Sequence, residues 1–437
     1  MPFVDDLIAF SAQPSADLPA PAVQLAKFSL LDWLVCGSAG VEEPVAQKLR
    51  AFGASEGGVQ TASTFGGSKM PPRMASLING AVSHALDYDD THFSHVGHLS
   101  VGIYPAALAA AEDVEASAAD MIAAFVVGAE AAIRIGTVLG AAHYNLGFHQ
   151  TATAGAFGAT VAAGRLYGLS SEQMRAAIGL CATRASGLKS QFGTMGKPYN
   201  AGIAASNGIE CAQLSRLGMT SCEDGLMGLQ GFAETHNPDT TPDKSIWNEG
   251  RQNRLRFEDN KYKLHACCHG LHATIEGLLL AKNTGVTFDD VAEFVLRTNP
   301  RWLKVCDIKQ PRTGLEVKFS YAWLAGMTLR GDVTGAPDTY TDALALDPGL
   351  AAFGETVTVV GDDTLTDLQA DGVLKLKNGE TRPVSFDLAA PLPMETLEGK
   401  LRSKAHACLG QEGDHIWSIL DRLDQMNARA IGKLVAG

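Results

Sequence analysis

The chain has 437 residues, of which 46% are hydrophobic and only 19% are charged, enough apolar content for a large core and too much for a disordered chain. Its formal net charge of −13 argues against a nucleic-acid partner, because that affinity comes from Lys and Arg neutralising phosphates. The same charge does not exclude an anionic small molecule, since fields are screened beyond about 8 Å and a local cluster of cations can still bind a carboxylate.

In chain order, the first part reads as helix after helix. Pro19 and Pro21 open the amphipathic run AVQLAKFSLLDWLVCGSAG, with Gly37 and Gly40 at its end. The runs MASLINGAVSHALDYDD, AADMIAAFVVGAEAAIRIGTVLG and TATAGAFGATVAAGRLYG follow. SSEQMRAAIGLCATRA has Ser170 or Ser171 where an N-cap belongs. KPYNAGIAASNGIECAQLSRLG stops at Gly218. Near residue 285 the pattern changes to alternation rich in Val, Thr and Phe: VAEFVLRTN, ETVTVVGD, GVLKLKNGE and RPVSFDLAA. Asn378-Gly379 between the last two is a hairpin signal. KFSYAWLAGMTLRG and TDALALD are helical stretches between strands, and after Pro393 the chain returns to helix.

The expected fold is therefore mainly α with a second α+β domain. Residues 1–267 and 396–437 form a large all-helical domain, and a smaller α+β domain is inserted over 268–395. The eight cysteines are scattered and form no C-x-x-C pair, which speaks against both a disulfide framework and a zinc ribbon. The N-terminal stretch has acids and no basic region, unlike a signal peptide. Met121 to Ala142 is apolar but carries Glu130 and Arg134, so a buried helix is expected rather than a membrane span. A reduced, cytoplasmic protein follows, with no membrane and no nucleic acid among its partners.

Four stretches carry chemistry. In Asp87-Tyr88-Asp89-Asp90-Thr91-His92-Phe93-Ser94-His95-Val96-Gly97-His98, three acids and three histidines crowd the end of a helix. A capped, solvated loop is the bland reading, and a metal set has no recognised spacing here. An acid that orients a histidine for proton transfer is the third reading. His149 in Gly147-Phe148-His149-Gln150-Thr151 precedes a helix whose N-terminus could attract a carboxylate. Gly155 and Gly158 lie inside that helix, with no strand before them, so they are not a dinucleotide fingerprint. Lys197 stands just before Pro198 at another helix start, where the dipole disfavours its charge and suits a base. In Lys263-Leu264-His265-Ala266-Cys267-Cys268-His269, a helix would place His265 and His269 on one face. The glutamate of H-E-x-x-H is missing, which weakens a zinc reading.

These stretches in this order resemble the MmgE/PrpD family, which includes 2-methylcitrate dehydratase, cis-aconitate decarboxylase and an iminodisuccinate epimerase. The matching pieces are FSLLDWLVCGSAG, MASLINGAVSHALDYDDTH, HLSVGIYPAALAAAE, GFHQTATAGAFGATVAAGRLYGLS, MGKPYNAGIAASNG, KLHACCHGLHA and EVKFSYAWLAG. The resemblance implies a homodimer and an active site between the domains that uses no metal and no organic cofactor. It implies a small di- or tricarboxylate as substrate. Asp87, His98, His149, Lys197 and Lys263 fall at its catalytic positions, with Asp87 expected to orient His98, and Thr91, Arg312 and Tyr321 are expected to bind substrate.

Leu99 stands where the family usually has Pro, Leu264-His265-Ala266 replaces an aromatic-Pro pattern, and Cys268 falls where the decarboxylase uses a histidine. The expected chemistry is proton abstraction α to a carboxylate. It either epimerises an iminodisuccinate-like acid or eliminates water, as from 2-methylcitrate. A metal-dependent hydrolase built on the His and Asp clusters is the alternative.

Overall fold

The computed structural model describes residues 3–237 and 254–437. Its contacts divide the chain into two compact units, residues 1–262 with 411–437, and residues 263–410.

The larger unit is helical. The helices that matter for the site are α1 (Ala20–Ala39), α2 (Pro72–Ser83), α3 (Ser100–Asp113), α4 (Ala118–Leu146), α5 (Thr153–Leu166), α6 (Ser171–Arg184) and α7 (Gly196–Arg216). Local chemistry sets their ends. Prolines occupy the first turns of α1 and α2, where a missing N–H costs nothing. Ser117 caps α4 through Asp120 N. Ser170 and Gln173 form a reciprocal capping box on α6. The helix α4 is long and apolar enough to cross a membrane, yet 94% of its most apolar window is buried inside the structure. Two of its charges, Glu130 and Arg134, pair at 2.6 Å with no exposure.

Small residues let α2, α4, α5 and α7 cross closely. A methyl at Gly202 of α7 would sit 2.3 Å from the Leu77 carbonyl oxygen of α2, and one at Gly80 would sit 2.8 Å from Gly202 Cα. Backbone cannot rotate away from such a clash. Gly202→Ala is expected to destabilise the protein by about 1–3 kcal/mol and to shift the start of α7. A urea midpoint equal to that of the parent protein would contradict this.

One element breaks the all-helical expectation. Residues Ala62–Thr64 (β1) and Gly67–Met70 (β2) pair as a short antiparallel hairpin inside the larger unit. Gly66 at φ 60 makes its turn.

The smaller unit holds a four-stranded mixed sheet in the order β4-β3-β5-β6. Its strands are β3 (Val291–Thr298), β4 (Val357–Gly361), β5 (Gln369–Leu376) and β6 (Thr381–Asp387). The strands β3 and β4 run parallel, so a crossover must join them. Strands β5 and β6 form the expected hairpin, with Gly379 at φ 87. The helix α8 (His272–Asn283) packs on β5 and β6. The inserted α+β domain was expected over 268–395, whereas the compact unit spans 263–410. The difference lies mainly in α9 (Met394–Leu409), which Lys400 ties to Glu276 of α8 at 2.6 Å.

Three histidines in the core make stability pH-dependent. Burial pushes the imidazoles of His92, His95 and His143 down, to about 4, about 3 and about 4, from an ordinary value of 6.5. Between these limits the unfolded chain binds protons that the folded chain refuses. Stability therefore rises with pH through this window and falls as acid is added. Urea midpoints at about pH 7 and about pH 5 should show the loss; equal midpoints would contradict it.

Candidate active site

Four local structures converge within the larger unit. His84 is the C-cap of α2. Asp87, Asp89 and His98 lie on the loop that links α2 to α3. His149 lies in the turn before α5, and Lys197 is the second residue of α7. The loop is tightly constrained: Asp87 and Val96 both adopt positive φ, 52° and 54°, a conformation that L-residues rarely take without support. That support comes from Asp90, which is buried. It accepts hydrogen bonds from Ser100 N at 3.0 Å, Ser100 Oγ at 2.7 Å and Asn260 Nδ2 at 2.7 Å. Thr91 exchanges two backbone hydrogen bonds with Lys261, at 2.7 and 2.8 Å. The backbone N–H of His98 donates to Thr151 Oγ1 at 3.0 Å.

The three acids of the loop thus have separate surroundings. Asp90 anchors the backbone. Asp89 is fully buried between two imidazoles: His84 Nδ1 donates to its Oδ1 at 2.8 Å, and His98 Nδ1 lies 2.7 Å from its Oδ2. The second contact is at ion-pair distance. Burial alone would raise the Asp89 carboxyl; the two imidazoles outweigh it and hold it well below the ordinary carboxylate range. Asp87 is half-exposed. It meets Lys197 Nζ at 2.6 Å through Oδ2 and His98 Nε2 at 3.5 Å through Oδ1. His98 is therefore flanked by a carboxylate at each ring nitrogen.

The rings of His84 and His98 meet edge-on, with centroids 4.5 Å apart, and His84 stacks on His149 at 6.1 Å. Phe192 meets His149 edge-on at 5.0 Å and lies 5.5 Å from Lys197 Nζ.

The structure brings together four of the expected residues: Asp87, His98, His149 and Lys197. It adds two. Asp89 takes the orienting contact expected of Asp87, and His84 shares Asp89 with His98. The other two histidines of the loop turn inward: His92 Nε2 meets Arg256 O at 2.9 Å and His95 Nδ1 meets Ala132 O at 3.1 Å.

One local expectation is corrected. The first N–H groups of α5 are largely spent on its own preceding turn, since Ala152 N and Thr153 N donate to His149 O and Gly155 N to Gln150 O. That helix end is not an open anion site. Lys197 Nζ meets Asp87 Oδ2 at ion-pair distance.

Of the remaining expected residues, Thr91 lies on the loop of the larger unit, and Lys263, Arg312 and Tyr321 belong to the smaller unit. Lys263 is buried there. Arg312 is exposed, and its guanidinium lies 3.5 Å from Glu316. Tyr321 is fully buried; its hydroxyl donates to Gly270 O at 2.9 Å and meets Thr298 Oγ1 at 3.1 Å. The segment before His269 is not helical, so His265 and His269 do not share a helix face. His265 instead meets Thr334 Oγ1 at 2.8 Å and Glu276 at 3.4 Å.

Ligand-type atoms of His84, Asp87, Asp89 and His98 lie within 4.8 Å of one another. A cation could use such a set, but Lys197 already places an ammonium on Asp87.

A buried acid between two histidines, beside a lysine–aspartate pair, defines a site able to hold a carboxylate and move a proton. The chain belongs to the MmgE/PrpD family: residues 10–245 match the model of the MmgE/PrpD N-terminal domain and residues 265–425 that of the C-terminal domain. It is similar to a cis-aconitate decarboxylase-like protein, oryM, of Aspergillus oryzae, with 29% identity over 280 residues, 60% of this chain and 58% of that protein. It is also similar to cis-aconitate decarboxylase of Aspergillus terreus, with 30% identity over 275 residues, 60% of this chain and 56% of the relative. The human cis-aconitate decarboxylase is 28% identical over 280 residues, 61% of this chain and 57% of the relative. The chain thus spans somewhat over half the length of these curated relatives.

Proposed function

We propose that the protein is an acid–base enzyme that moves a proton at the carbon next to a carboxylate of a small di- or tricarboxylic acid. The observation that carries this reading is His98, set between Asp89 and Asp87 with Lys197 on Asp87. An ammonium has three N–H donors. Asp87 takes one, which leaves donors for a substrate carboxylate. His98, oriented by Asp89, carries the proton.

In the first step the α C–H bond breaks, the proton passes to the base, and the electron pair moves into the carboxylate as an enediolate. Without a leaving group, a proton returns to carbon and the acid is epimerised, as for an iminodisuccinate-like substrate. With a β-hydroxyl, the pair expels hydroxide, which leaves as water on protonation, as for 2-methylcitrate. The relatives that carry the name cis-aconitate decarboxylase support a small polycarboxylate as substrate. An acid–base residue of this type contributes about 10²–10⁴ in rate, and the side chains named need no organic cofactor to do so.

A metal-dependent hydrolase is the second reading, favoured by the close set of His84, Asp87, Asp89 and His98. The Lys197 ammonium weighs against it. Metal analysis of the purified protein, with activity measured before and after a chelator, separates the two.

The direct test is incubation with 2-methylcitrate, citrate, cis-aconitate, malate, aspartate and iminodisuccinate, with products resolved by chiral chromatography. Formation of an alkene acid or of the opposite stereoisomer is the expected result. A protein that neither binds nor converts any of these acids would overturn the reading.

A further inference from the structure

The neighbours of His149 reveal its protonation state. Its Nδ1 lies 3.2 Å from Nδ2 of Asn200, which is one turn beyond Lys197 on α7. An amide can be placed with either end forward, but the same Nδ2 also reaches the Leu188 carbonyl oxygen at 3.2 Å. A carbonyl oxygen only accepts, so the Asn200 end must be the NH2 group. An NH2 group only donates, so His149 Nδ1 must be the unprotonated nitrogen. In a neutral imidazole the proton then sits on Nε2.

The surroundings favour that neutral form. Burial first, then His84, Lys197 and His98, push the His149 imidazole well below its ordinary value; Asp87 opposes them. These groups face the ring from the end of α2, from the loop and from α7. Among the described residues no side chain takes the Nε2 proton. The ring's one open position is therefore an N–H donor, 2% of the residue remaining exposed.

We propose that Asn200 is a positioning residue that locks His149 as the neutral Nε2–H tautomer, so that His149 donates a hydrogen bond to the substrate's carboxylate as it becomes an enediolate and does not take up the α proton. This rests on the function proposed above and divides the labour of its two histidines. His98 sits between two carboxylates; His149 faces an amide donor. A neutral imidazole suits an electrophilic role of this kind because it donates without first carrying a charge that must be neutralised.

The test begins without substrate. Long-range 1H–15N correlation spectra of protein labelled with 15N-histidine, compared with His149→Gln to assign the signals, should show a pyridine-type Nδ1 and a pyrrole-type Nε2 from about pH 8 down to the ordinary histidine value of 6.5. An Nδ1–H tautomer, or a cation within that range, would overturn the assignment. Asn200→Asp replaces the donor by an acceptor and should reverse the two nitrogen types. If the variant folds and reverses, turnover should fall about 10²–10³-fold, the effect of losing an oxyanion donor, with KM changed far less.

A reversed tautomer with full turnover would overturn the donor role. The expected tautomer in a protein that converts no carboxylate would sink the function proposed above and leave the Asn200 assignment standing.

Discussion

Asp89→Asn is expected to lower turnover by about 10²–10⁴-fold while the protein stays folded. A carboxylate accepts at both oxygens, so Asp89 can face His84 and His98 at once. An amide keeps one acceptor and gains a donor. It can accept from one ring N–H only, and the other ring must turn its lone pair toward the new NH2 group. One of the two histidines then holds its proton on the wrong nitrogen. The change leaves volume almost untouched, which separates this effect from a packing defect. Steady-state kinetics, with circular dichroism to establish folding, would check it. Turnover within about threefold of the parent would show that Asp89 orients nothing that the reaction needs, well short of the effect of one acid–base group.

Lys197→Ala should lower kcat/KM by about 10²–10³-fold, with a rise in KM as part of the loss. The lysine is the cation beside Asp87, and its removal takes away the donors offered to a substrate carboxylate. It also leaves Asp87 facing that carboxylate with no charge between them. Lys197→Arg should recover only part of the activity, because a planar guanidinium is longer and directs its donors differently. A fall in stability alone, with catalysis intact in the folded fraction, would assign Lys197 to structure. Full turnover in the alanine variant would remove it from the mechanism.

The pattern of elements was readable because helices and strands repeat. The helical runs, the change to alternation near residue 285 and the Asn378-Gly379 turn all rest on period or turn chemistry. The cluster from Asp87 to His98 was conspicuous by composition. What composition could not show is which acid faces which ring. In an irregular loop that depends on individual backbone angles, and Asp87 at φ 52 redirects its side chain away from the helical course before it. Asp89, two residues on, therefore takes the place expected of Asp87.

His84 was hidden for a different reason. It ends an apolar helix and reads as one more residue of that run; its partner Asp89 becomes its neighbour only through the turn. Asn200 carried a usable signal, since three residues after Lys197 it shares that helix face. Its importance, however, depends on His149, fifty-one positions earlier. The close crossing of α2 and α7 at Gly80 and Gly202 joins these distant pieces, and no local pattern announces it. The hairpin over residues 62–70 was missed because its strands are too short to establish an alternation.

The central claim is that this site moves a proton at the carbon beside a carboxylate. Proton NMR in D2O, with the panel of di- and tricarboxylic acids, tests it most directly. Deuterium should enter an α position of at least one acid in the presence of the protein, and the rate should fall about 10²–10⁴-fold in His98→Asn. No exchange with any acid, or exchange that His98→Asn leaves unchanged, would contradict the account.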